Sequence, residues 1–205
     1  MQETIITVVS LSLIAAITPG PLLTLIISET LSYGKANGVK IALAPLMTDL
    51  PIMLVSVFFL SKLAQLNELL GIISLAGAAY LAYLAYGNIT TKQVNLKSKT
   101  EARSLSKGII ANFLNPNPYI FYFSILGPLS VKAMSLNFLY GPLFLAIFLG
   151  LFVAILILIA LSVHRAKRLF SSQRYVYVIR VLGLVLLFFA VSFVWESLQL
   201  FGVAD

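Results

Sequence analysis

Cysteine is absent from this 205-residue chain. That excludes disulfides, thiolate metal sites and any thiol redox cycle, and with them a membrane redox enzyme of the thiol–disulfide type. Histidine occurs once, at His164 beside Arg165. With no second imidazole a metal site lacks its usual donors, and His164 reads as a headgroup-level residue. Charge is scarce: 10% of residues are charged, and only seven are acidic. Soluble domains carry about 25% charged residues. The alternating apolar and polar segments of a transmembrane barrel are missing too. No enzymatic centre and no cofactor is expected.

What the chain does have is hydrophobicity, at 60% of residues. Apolar runs near 20 residues recur along its length, which points to a polytopic all-α membrane protein. Six spans are expected at roughly 4–28, 38–60, 69–87, 108–128, 137–161 and 178–200. The start, Met1-Gln2-Glu3-Thr4, has no basic leader and no small-residue cleavage site, so the first run is read as a retained span. A net charge of +7 could suggest nucleic acid, but the basic residues sit in the gaps between apolar runs, so the expected surface partner is the lipid bilayer.

Those gaps also set an orientation. Lys35 and Lys40 follow span one. Lys92, Lys97, Lys99, Arg103 and Lys107 follow span three. Arg165, Lys167, Arg168, Arg174 and Arg180 follow span five. Only Lys62 and Lys132 fall on the other side. Basic residues beside spans mark the cytoplasmic face, which places loops one, three and five inside and both termini outside. The longest gap, 88–107, reads as a basic cytoplasmic linker within one membrane domain, 1–205. It divides a first three-helix unit, 1–87, from a second, 108–205. Two units of three spans joined in tandem insert with opposite orientations, the 3+3 inverted repeat of many secondary transporters.

Two proline motifs support that division. Thr18-Pro19-Gly20-Pro21 lies in span one and Asn115-Pro116-Asn117-Pro118 in span four, about half the chain apart. A proline inside a helix removes a hydrogen bond and clashes with the carbonyl four residues back, which would free the carbonyls of Ala15, Ile17, Asn112 and Leu114. In hydrocarbon such groups need protein or a watery cavity to receive them. Pro-broken helices 1 and 4, at matching places in two halves, are the best sequence pointer to a binding site.

Asp49 supplies the charge. It sits near the centre of span two in Leu46-Met47-Thr48-Asp49-Leu50-Pro51. A carboxylate at that depth costs about 2.5–3.5 kcal/mol on insertion scales, so it faces the bundle interior or a cavity. There it can exchange a proton or hold an amino group, although a purely structural carboxyl is the plainer reading. Thr18, Asn112, Asn115 and Asn117 lie at similar depth. Pro45 and Pro51 flank the acid. The amides that open the helix after each proline motif suit a substrate carboxylate. Glu29 is read as interfacial, near Lys35, with an inner gate as the sharper alternative. In span three, Tyr80, Tyr83 and Tyr86 form a ridge read as packing, beside the small residues Gly77, Ala78, Ala82 and Ala85. Gly34 and Gly38 are read as turn residues.

These residues resemble the LysE/RhtB family of amino-acid exporters. The resemblance rests on Thr18-Pro19-Gly20-Pro21, Gly34, Gly38 and Asp49, then Gly77-Ala78-Ala79-Tyr80-Leu81, and Gly108 through Asn112-Phe113-Leu114-Asn115-Pro116. It covers nearly the whole chain in order and spacing. It implies a six-span inverted-repeat exporter of amino acids or related small zwitterions, driven by the proton-motive force, in the plasma (inner) membrane of a prokaryote. It assigns Pro19, Gly20, Pro21, Asp49, Asn115 and Pro116 to the site. Three positions depart from the family pattern. Thr48 stands where a glycine precedes the aspartate, Ala44 or Pro45 replaces a further glycine, and Asn117 replaces the lysine after Asn-Pro. These changes alter the size of the site and remove a positive charge. A homo-oligomer is compatible with the sequence. The alternatives are a metal-ion or small-cation exporter, which would want several membrane carboxylates or histidines, and a non-transporting assembly subunit.

Overall fold

The computed structural model describes residues 2–58, 67–91, 103–166 and 172–203. Among them there is no strand, and nearly all of these residues are helical. The elements are α1 (Gln2–Ile17), α2 (Pro21–Tyr33), α3 (Lys35–Ala42), α4 (Ala44–Phe58), α5 (Asn67–Ile89), α6 (Ser104–Phe113), α7 (Pro116–Phe121), a π-helical turn (Tyr122–Leu126), α8 (Gly127–Met134), α9 (Tyr140–Ala166) and α10 (Ser172–Leu200). Most of the 88–107 linker, and the 61–66 part of the gap after span two, lie outside the described residues.

Among the described residues, three helices are each long and apolar enough to cross a membrane: Asn67–Ile89, Tyr140–Ala166 and Val176–Leu200. The pair Ile5–Ile17 and Pro21–Tyr33 passes the same test together, bent by 60°. The remaining apolar stretches are delivered in pieces. The expected span 38–60 begins earlier, as α3, and breaks at Leu43 before α4. The expected span 108–128 becomes α6, α7, the π turn and α8.

Local chemistry explains the breaks. Pro21 occupies the first position of α2, where a missing amide costs nothing. Gly34 ends that helix with φ of 95°, a region unfavourable for side chains bearing Cβ, and its amide bonds back to the Thr30 carbonyl. The expected turn at Gly34 and Gly38 therefore narrows to Gly34, because Gly38 lies inside α3. Asn115 caps α7 by accepting the Asn117 amide on its side-chain oxygen at 3.1 Å, and Pro116 follows at the first helical position.

The carbonyls expected to be free near the second motif are only partly so. The Asn112 carbonyl accepts the Asn115 amide at 3.2 Å. The Tyr119 hydroxyl donates to the neighbouring Phe113 carbonyl at 2.9 Å. Capping and a nearby hydroxyl satisfy the backbone at less cost than leaving it bare in hydrocarbon.

Helix α9 joins two cores. One gathers Leu25 and Ile26 of α2, Ile41 of α3, Leu81 of α5, Leu156 of α9 and Phe193 of α10. The other gathers Val8 of α1, Ile52 and Met53 of α4, Tyr122, and Phe144, Phe148 and Val153 of α9. Lipid tails are as apolar as leucine, so close packing and interhelical hydrogen bonds carry the association. The Ser12 hydroxyl reaches the Phe148 carbonyl at 3.3 Å, and the Ser197 hydroxyl donates to the Gly71 carbonyl at 2.9 Å. The tyrosine ridge of α5 packs only in part: Tyr80 rests against the first core, whereas Tyr83 and Tyr86 are each 70% exposed on the outer face.

Gly77 of α5 meets the break in the second half. A Cβ there would collide with the Leu114 carbonyl oxygen and crowd the Phe193 ring. Gly77→Ala gains up to about 1 kcal/mol of helix propensity. The clash is with backbone that cannot rotate away, and overpacking of this kind costs about 1–3 kcal/mol. We expect Gly77→Ala to lower the melting temperature in detergent. Gly150→Ala, at a position with open space around it, should not lower it.

Candidate functional site

Both broken helices open onto one cavity of about 580 Å³. Its wall includes the α1–α2 break from Ile14 to Leu23, Asp49 of α4, Asn112 of α6, the α7 region and one face of α9. Thr18, Pro19, Gly20, Pro21, Asp49, Asn112, Asn115 and Asn117 all line it. Pro116 is buried and is not part of the lining, whereas Pro118 is.

Asp49 is 2% exposed, and both of its oxygens are engaged. Oδ1 accepts from the Asn112 amide at 2.6 Å and lies 2.9 Å from the Thr48 hydroxyl. Oδ2 accepts from the Tyr122 hydroxyl at 2.6 Å. The other hydrogen of the Asn112 amide goes to the Thr48 oxygen, also at 2.6 Å. The Thr48 proton is shared between Asp49 and the Ala44 carbonyl, 3.2 Å away. Thr48, one of the departures from the family pattern, thus adds a hydroxyl that a glycine could not supply.

Tyr122 escaped the sequence reading. It lies seven residues beyond Asn115, two turns along an unbroken helix, so the same face was the only available signal. The break at Leu114–Asn115 and the π turn that begins at Tyr122 set its true direction. Such turns are frequent at functional sites. Phe148 and Phe152 of α9 were also missed, because an all-round apolar helix does not reveal which of its residues face a cavity.

Several expected polar groups are already committed. The Thr18 hydroxyl donates to the Ile14 carbonyl at 2.6 Å. The Asn115 side-chain oxygen holds the Asn117 amide. Because Pro116 and Pro118 carry no amide hydrogen, the first turn of α7 offers no donor to a carboxylate, contrary to expectation. The first turn of α2 differs. Gly20 supplies no side-chain cap, and Leu22 and Leu23 both line the cavity with amides in the first turn.

Glu29 does not pair with Lys35. It is buried, and Lys107 of α6 holds its Oε1 at 2.9 Å while the Ser104 hydroxyl holds Oε2 at 2.9 Å. Lys107 also sits 5.5 Å from the centre of the Tyr33 ring. The bridge ties α2, the second piece of the first broken helix, to α6, the first piece of the second. Nearby, the Asn88 amide donates to the Ser28 hydroxyl at 2.8 Å. Lys35 is exposed.

The description "LysE type translocator" matches residues 13–197. The chain belongs to the LysE type translocator family. No curated protein and no solved structure matches it. The translocator is therefore a membrane protein that moves small molecules, and family members are transporters, not enzymes. The match spans both broken helices and the acid between them, so the family region and the cavity coincide.

Two substitutions test this geometry. Tyr122→Phe leaves Asp49 Oδ2 without its donor and should destabilise the translocator by about 1–3 kcal/mol. Lys107→Ala strands the buried Glu29 carboxylate and should cost about 3–5 kcal/mol, with much of the loss recovered in Lys107→Ala/Glu29→Gln. Thermal unfolding in detergent reads both.

Proposed function

We propose that this translocator is a proton-coupled secondary exporter of amino acids or related small zwitterionic metabolites. The observation that carries the reading is Asp49, a buried acid on the wall of a cavity shared by two proline-broken helices. Membrane acids of this kind mark substrate or proton paths. In this reading Asp49 alternates between a proton and the substrate ammonium. Asn112 and Tyr122 orient the carboxyl, and the Leu22 and Leu23 amides receive the substrate carboxylate.

The architecture proposed with it is six spans in a 3+3 inverted repeat. Here α1–α2 and α3–α4 each form one interrupted span, and α6 through α8 form another. Residues 1–87 and 108–205 are the two repeats of a single membrane domain, joined by the cytoplasmic linker 88–107. Loops one, three and five face the cytoplasm of a prokaryotic cell, and both termini lie outside. The Glu29–Lys107 bridge then lies on the cytoplasmic side of Asp49, where it would hold the path shut until substrate and proton bind.

The energetics suffice. One net charge moved per cycle is worth about 2.3 kcal/mol per 100 mV, enough for roughly a 50-fold gradient. A metal-ion exporter is the less favoured alternative: among the described residues no group of three or more His, Asp or Glu converges to hold a metal. A non-transporting assembly subunit would leave the cavity beside Asp49 without a role.

Proteoliposomes loaded with candidate amino acids and given an imposed proton gradient test the proposal. Export should follow the gradient, and Asp49→Asn should reduce it by about 100-fold or more, the range found for proton-transfer groups. Gradient-independent transport, or full activity in Asp49→Asn, would overturn the role assigned to the acid.

A further inference from the structure

The chemistry of the cavity wall narrows the substrate further. Among the described residues Asp49 is the one carboxyl group on it, and no lysine, arginine or histidine lines it. The other acid near the path, Glu29, is already tied to Lys107 and Ser104. A substrate can therefore place one ammonium at Asp49, and a second charge of either sign on its side chain would meet no counter-charge. Burying an uncompensated ion in a low-dielectric site is expensive.

Beside Asp49 the wall is aromatic. Phe148 and Phe152 stack with centroids 5.8 Å apart and planes 11° apart. Phe121 lies 5.7 Å from Phe148. Tyr122 meets Phe148 edge-on at 6.1 Å, while its hydroxyl holds Asp49. One residue, Tyr122, thus joins the acid to the aromatic wall. Acid and π-faces side by side suit an ammonium whose substituents are apolar.

We propose that the cavity selects monoammonium substrates with one uncharged apolar side chain, held between Asp49 and the Phe148–Phe152 wall. This rests on the exporter reading and adds a specificity to it. Phe152, less buried than Phe148, is the specificity-determining residue. An apolar wall separates neighbouring aliphatic side chains only modestly, about 10–200-fold per methylene. It rejects a second charge far more strongly.

The test is equilibrium binding to the purified full chain in nanodiscs, with radiolabelled leucine displaced by phenylalanine, phenethylamine, serine, lysine or glutamate. Leucine and phenylalanine should bind at least about tenfold more tightly than serine, and lysine and glutamate at least about 100-fold more weakly than leucine. Phenethylamine distinguishes a free amine from an amino acid as the source of the ammonium: affinity equal to phenylalanine assigns the site to amines, and weaker affinity assigns it to amino acids. Phe152→Ser should weaken leucine binding about tenfold, and Phe152→Leu should restore it. Lysine, glutamate or serine binding as tightly as leucine overturns the specificity and leaves the exporter reading in place, as does a Phe152→Ser variant that retains full leucine affinity. Failure of every probe to bind, together with absent transport in proteoliposomes, overturns both.

Discussion

A carboxylate cannot be taken out of water unless both of its oxygens find donors. That requirement organises the middle of this translocator. Asp49 is supplied from three places at once: Thr48 beside it on α4, Asn112 on α6, and Tyr122 at the start of the π turn. The last two belong to the second half of the chain. Removing the Tyr122 hydroxyl would leave the buried Oδ2 without its donor, which costs more than a typical hydrogen bond contributes; Oδ1 has two donors, Asn112 and Thr48. The acid therefore acts as a polar rivet between the halves, in a setting where apolar burial cannot serve because lipid competes equally for apolar surface.

The second constraint is backbone. Each proline motif ends a helix, and each break must settle its amides and carbonyls without water. The two motifs solve this differently. At Asn115 the side chain turns back to cap α7, and the carbonyls nearby are taken by an amide and a tyrosine hydroxyl. At Gly20 there is no side chain to cap α2, and the first-turn residues Leu22 and Leu23 line the cavity. The two breaks match in position but not in chemistry. One is closed on itself, and the other puts the first turn of its helix on the cavity wall.

A third element lies one step removed from the cavity. The Glu29–Lys107 bridge joins α2 to α6, two helices that both also contribute residues to the cavity wall. The cavity and the bridge thus hang on common supports.

Much of this was legible in the residues. Composition and apolar run length decide that the chain lives in a bilayer, because no soluble core could hide so much apolar surface. Prolines decide where helices must break, because a missing amide and a steric clash are local facts. Insertion cost decides that Asp49 faces inward. What the chain order could not decide were partners and directions. Lys35 is near Glu29 in sequence, yet Lys107 holds it. Tyr83 and Tyr86 look like packing and face outward instead. Tyr122, Phe148 and Phe152 are apolar-run residues like their neighbours until α9 and the π turn aim them at the cavity. Those choices follow from how far each break rotates the next helix, and that angle is set by the packing of all the helices together, not by any one segment.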